Sequence, residues 1–167
     1  EWIPKKLEKQ IMIFNKSTNK KLGLVSCYIN VKNNKNGKII SKYNKFYKGD
    51  VIDRIINGNF IYTSSSVLTK LSILKEVGTF DNNLKTSDDW DMWIRISEKG
   101  YDFTFIPEYL LNYYTHKDNV CYGKNNFSKS SEFVYFFEKN KNIFIKNKSL
   151  MVGYNLYLNK KYVDSRK

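Results

Sequence analysis

The sequence predicts a mixed α/β domain with a helical C-terminal tail, and three observations support it. β-branched and aromatic runs at residues 22–31 and 101–106 alternate with segments of helical period. Glycines stand just past two of the helical segments, at Gly78 and Gly100. Beyond Asn125 the pattern turns helical and stays so. A chain of 167 residues, 41% hydrophobic and 16% aromatic, is long enough to bury one core and too short for two full domains.

Taken in order, Pro4 followed by "KKLEKQIMIF" predicts an amphipathic helix with proline in its first turn and apolar residues at Leu7, Ile11, Ile13 and Phe14. "LGLVSCYINV" predicts a strand, and "NNKNGKII" a hairpin turning at Asn36-Gly37. "GDVIDRIINGNF" fits a short helix from Asp50 to Gly58, and "IYTSSSVLTK" a further β-like run whose serines are placed to line something. "LSILKEVG" predicts a helix closed by Gly78, and residues 88–99 a second one closed by Gly100. "YDFTFI" alternates as a strand that Pro107 breaks, after which "YLLNYYTH" resumes extended character. "SEFVYFFEKN" and "LMVGYNLYLNKKY" predict two helices joined by a lysine-rich loop.

The formal charge is +13, which invites a nucleic-acid or anionic-membrane reading. Arginine, however, occurs only at 54, 95 and 166. Guanidinium forks that read phosphate and guanine bidentately are therefore scarce, and no nucleic-acid partner is expected. The lysines read mainly as a solvated face. No run approaches the length of a membrane span, and the N-terminus lacks a signal-peptide pattern, so the chain reads as soluble and cytoplasmic. Cys27 and Cys121 have no metal or redox spacing and read as buried free thiols.

Against that cationic background, "TSDDWDMWIR" crowds Asp88, Asp89 and Asp91 between two tryptophans and Arg95. A helical wheel puts Trp93, Ile94, Ile96 and Ser97 in the arc of Trp90, and Asp91, Arg95, Glu98 and Lys99 in the opposite arc. Asp91 and Arg95 are then an outer-face i,i+4 pair worth only about 0.2–0.5 kcal/mol. Ser87 or Asp88 is expected to cap the helix. Asp89 turns toward the interior, where a carboxylate needs a partner or a purpose. Free N–H groups of the first turn are expected to hold it ionised, as a general base requires.

Residues 64–119, containing "VGTFD", "DDWDMWIR" and "YYTH" in order, resemble the second half of a family 2 glycosyltransferase of the GT-A fold. "EWIPKKLEKQI" resembles the segment that follows the metal-binding D-x-D of that family. The resemblance covers residues 1–120, which it makes the acceptor-side half of such a domain, with residues 121–167 a helical extension. It implies a partial GT-A-like mixed sheet flanked by helices. The family's first half, with its nucleotide-binding carboxylates and D-x-D, has no counterpart here.

The resemblance further implies inverting transfer of a sugar from a nucleotide-diphosphate sugar to a hydroxyl of a glycan or lipid-linked acceptor, aided by Mg²⁺ or Mn²⁺ in the intact enzyme. Polysaccharide or glycoconjugate synthesis is the expected setting, with peripheral contact at the inner membrane face. Asp89 matches the catalytic base, and Asp88 stands where the family usually has Glu. The acceptor is expected against Asp88, Trp90, Ser65 and Ser66, and His116 falls where some relatives place a metal or diphosphate ligand. This chain alone is expected to be inactive and to hold no metal. The rival expectation is a non-catalytic carbohydrate- or polyanion-binding module.

Overall fold

In the computed structural model, residues 1–115, 131–147 and 158 are described. Strand β1 (Leu22–Asn33) is the centre of a four-stranded sheet. Strand β4 (Asp102–Thr115) runs parallel along its whole length, from Leu22 opposite Asp102 to Asn33 opposite Thr115. Two strands pair antiparallel with β1: β2 (Ile39–Tyr43) near its end and the two-residue β3 (Leu68–Thr69) near its start. A strand has two hydrogen-bonding edges, so β2 and β3 share the edge opposite β4. The chain between β1 and β4 is thus one long crossover, and it bears α2 (Ile52–Ile55), α3 (Leu71–Glu76) and α4 (Asp88–Glu98). The α/β class expected from the sequence is found, with a mixed sheet consistent with part of a GT-A-like fold.

The first half of β1 is buried on both faces, and its residues divide between two cores. Val25, Cys27, Ile29 and Val31 join Ile106, Leu110 and Leu111 in one core, closed by Ile13 and Phe14 of α1 (Lys6–Lys16). Leu24 and Phe103 belong to the other, with Ile55, the α4 residues Met92, Trp93, Ile94 and Ile96, and four phenylalanines of α5 (Ser131–Lys146). Phe133, Phe136, Phe137 and Phe144 are all buried. At about 1.5–3 kcal/mol for each buried aromatic side chain, they fasten α5 against α4.

Four expectations are corrected here. Pro107 does not break the strand: β4 continues through it, because the register slips between Cys27 and Tyr28 and leaves Pro107 and Glu108 unpaired in a bulge. α1 buries Lys6 and Gln10, while Leu7, Ile11 and Met12 are exposed. The serine run is not a strand but a single 3₁₀ turn, Ser64–Ser66, followed by β3. The first part of the supposed lysine-rich loop is helix, since α5 runs on to Lys146. The second C-terminal helix, Cys121 and His116 lie outside the described residues, Leu158 excepted. Cys27 is buried, and burial pushes its thiol up to about 11.

Candidate functional site

α4 presents its three aspartates to three different surroundings. Asp91 is fully buried, not on an outer face. One of its oxygens accepts from Arg95 Nε at 2.9 Å and Lys139 Nζ at 2.9 Å, and the other from Asn140 Nδ2 at 3.1 Å. The wheel fails here because α5 packs on the side of α4 that local periodicity assigns to solvent. Arg95 spends its remaining donors on the carbonyls of Val77, Gly78 and Thr79, at 2.5, 2.7 and 3.1 Å. These are the carbonyls left open at the end of α3, which turns sharply at Gly78 with φ 83°. Asp81 accepts from Lys139 at 2.7 Å and Tyr135 at 2.8 Å, bonds that hold its carboxyl well below the usual range. "VGTFD" and the last aspartate of "DDWD" are therefore one framework, tying α3, α4 and α5 together.

The start of α4 is anchored differently from the expected cap. Ser87 makes no side-chain capping bond. Its hydroxyl donates to Glu132 Oε1 at 3.0 Å. The same oxygen accepts from the backbone N–H groups of Lys85, Thr86 and Ser87 and from the Thr86 hydroxyl, within 2.8–3.1 Å. Burial pushes the Glu132 carboxyl up, but the bonds from Thr86 and Ser87 outweigh it and leave the pKa below its ordinary value. No sequence motif marks Glu132, which lies 45 residues beyond Ser87.

Asp89 has no such company. It is half-buried, and among the described residues no cation forms an ion pair with it. Burial raises its pKa to about 6, repulsion from Asp88 adds to the rise, and backbone N–H groups of Trp90 and Asp89 oppose it. The expected ionising effect of the helix terminus is present but smaller than desolvation. Asn59 Nδ2 approaches Asp89 Oδ1 at 3.4 Å, and Asn59 is itself oriented by accepting the Ile61 N–H at 3.0 Å. Asn59 also lines a cavity of about 610 Å³, with Tyr43, Lys45, Tyr47, Arg54 and Asn57 among others, which Asp89 itself does not line.

Trp90 fixes that neighbourhood. Its indole N–H donates to the Ile55 carbonyl at 2.7 Å, and its ring packs on Phe136 with centroids 4.7 Å apart. It thereby clamps α2 to α4 and sets Asn59 beside Asp89. Trp93 lies wholly in the core. Asp88 is half-buried in the first turn of α4, next to Asp89. Ser65 is exposed and receives the Trp2 indole N–H on its carbonyl at 3.1 Å. Ser66 is buried: its hydroxyl pairs with Ser26 at 2.9 Å and donates to the Thr63 carbonyl at 2.8 Å. Gln10 holds the turn from below, donating to the Val25 and Ser66 carbonyls. Among the described residues no hydrogen bond links this serine turn to Asp89.

Asp89 is thus joined to the cavity through Asn59, which lines it. A carboxyl with a pKa near 6 is mostly ionised at neutral pH and still basic enough to accept a proton. No group of three or more His, Cys, Asp or Glu among the described residues is arranged to hold a metal ion. Among them, too, no helix is long and apolar enough to cross a membrane.

No family model matches the chain. A Methanocaldococcus jannaschii protein described as an uncharacterized glycosyltransferase is 30% identical over 112 residues, 66% of this chain and 37% of that protein. The chain is similar to a glycosyltransferase. It spans well under half of that relative's length.

Proposed function

We propose that this chain is the acceptor-side part of an inverting family 2 glycosyltransferase, with Asp89 as its general base. The observation that supports this most is the half-buried Asp89 carboxylate, unpaired with any cation among the described residues and hydrogen-bonded to Asn59, which lines an open cavity. In the reaction, an acceptor hydroxyl attacks the anomeric carbon of a nucleotide-diphosphate sugar. The new C–O bond forms as the bond to the diphosphate breaks, the leaving oxygen keeps that electron pair, and the hydroxyl proton passes to Asp89. Asn59 steadies the carboxylate by its long hydrogen bond, and Asp88 keeps its basicity high by repulsion. Nucleotide binding and the divalent cation belong, on this reading, to the part of the fold that the chain does not contain, and this chain alone transfers no sugar.

Replacing Asp89 with Asn in the full-length protein preserves shape and removes proton acceptance. Turnover should fall by about 10²–10⁴, with donor affinity little changed. Full activity in Asp89→Asn would end the proposal. Glycan binding by a full-length protein that neither binds nor cleaves a nucleotide sugar would favour a carbohydrate-binding module instead.

A further inference from the structure

We infer that the cavity lined by Asn59, the hydrogen-bond partner of Asp89, receives an acidic sugar, its carboxylate or phosphate held by Arg54 and Lys45 while a ring hydroxyl is presented at the Asn59 end. The inference rests on the transferase reading above and names the class of acceptor.

The two described arginines are used in opposite ways. Arg95 is consumed by Asp91 and three backbone carbonyls. Arg54 makes no ion pair among the described residues, and its guanidinium lies over the Tyr47 ring, 5.1 Å from the centroid. Stacking on an aromatic face fixes the plane of a guanidinium while leaving its N–H edge available for a bidentate anion. Tyr47 is in turn held edge-on against Phe60, with centroids 5.0 Å apart. Lys45 lines the same cavity, also with no ion pair among the described residues, and Asp53 is the cavity's one carboxylate. The lining therefore carries a net positive charge.

The other walls suit a sugar ring. Tyr43 and Tyr47 line the cavity with aromatic surface, and Asn57 and Asn147 are held in its wall by their amides, which donate to the Asp53 carbonyl at 2.7 Å and the Ile143 carbonyl at 2.8 Å. The Tyr43 hydroxyl donates to the Phe60 carbonyl at 2.6 Å, which fixes the wall of the cavity next to Asn59. A volume of about 610 Å³ admits one or two sugar rings. The acidic group at one end and the reacting hydroxyl at the other would orient the ring by two points.

The test compares glucuronate, glucose 6-phosphate, glucose and inorganic phosphate as ligands of the full-length protein, by calorimetry and by the NMR shift of the Asn59 side-chain amide. Both acidic sugars should bind about tenfold or more tighter than glucose, the scale of one charge-assisted contact, and should move the Asn59 signal. Arg54→Gln should remove that preference, and Arg54→Lys should restore part of it. Equal affinity for glucose and the acidic sugars would overturn the inference while leaving the Asp89 transferase reading intact. Inorganic phosphate binding as tightly as glucose 6-phosphate would also overturn it, leaving an ion site only. An acidic-sugar preference in a protein whose Asp89→Asn variant keeps full transfer would sustain the site and remove Asp89 as the general base.

Discussion

Asp89 and Asp91 sit on one helix two residues apart, both withdrawn from water, and the protein treats them in opposite ways. Asp91 is met by Arg95, Lys139 and Asn140, so its charge is part of the framework. Among the described residues Asp89 meets the Asn59 amide at 3.4 Å, backbone N–H groups and a like charge but no cation, so burial shows up as a pKa of about 6. What separates a structural carboxylate from a reactive one here is whether a cation faces it, not how deeply it lies.

Each side of this contrast can be broken. The largest effect on stability is expected at Asp91: Asp91→Asn leaves Arg95 and Lys139 facing a neutral amide, and should lower unfolding stability by about 3–5 kcal/mol in a denaturant titration. That far exceeds the few tenths that a surface pair would cost. Asp89→Asn should do the reverse. The folded pKa of Asp89, about 6, lies above its ordinary value of 3.8, so the folded state holds this proton more tightly than the unfolded chain. Its contribution is fully present below the unfolded pKa and is lost as pH rises through about 6. Above that pH, Asp89→Asn should therefore stabilise the protein by about 1–3 kcal/mol, and the gain should vanish near pH 4.

Glu132→Gln tests the anchor of α4 from the far side. It keeps an acceptor but removes the charge that gathers three N–H groups and two hydroxyls, and should cost about 1–3 kcal/mol. The smallest effect is expected at Asp88. Asp88→Asn removes the repulsive neighbour, so the Asp89 midpoint should move below about 6, yet stay above 3.8 because burial is the larger cause.

The sequence made part of this legible. β1, the Asn36-Gly37 hairpin and the glycine-terminated α4 are set by local rules, and all three are found. The inward turn of Asp89 follows from the same wheel that buries Trp93 and Ile96. Asp91 was not legible, because its burial depends on α5, which begins 40 residues later at Ser131. Asn59 and Glu132, 30 and 45 residues from their α4 partners, leave no periodic trace either. α1 misleads for a related reason: Lys6 and Gln10 are drawn inside by Gln10's bonds to the Val25 and Ser66 carbonyls and by packing of Lys6 over Trp2 at 4.4 Å. Pro107 misleads because a bulge in β4 absorbs it without ending the strand.

The central claim is that Asp89 is a desolvated carboxylate, unpaired with any cation among the described residues and tuned toward neutral pH. Its most direct test is the carboxyl carbon shift of Asp89 followed by NMR across pH 3–8 in the full-length protein, with Asp89→Asn to assign the signal. The account predicts a single titration with its midpoint near 6. A midpoint at or below the ordinary 3.8 would contradict it, placing Asp89 with the framework carboxylates and leaving the helix without a base.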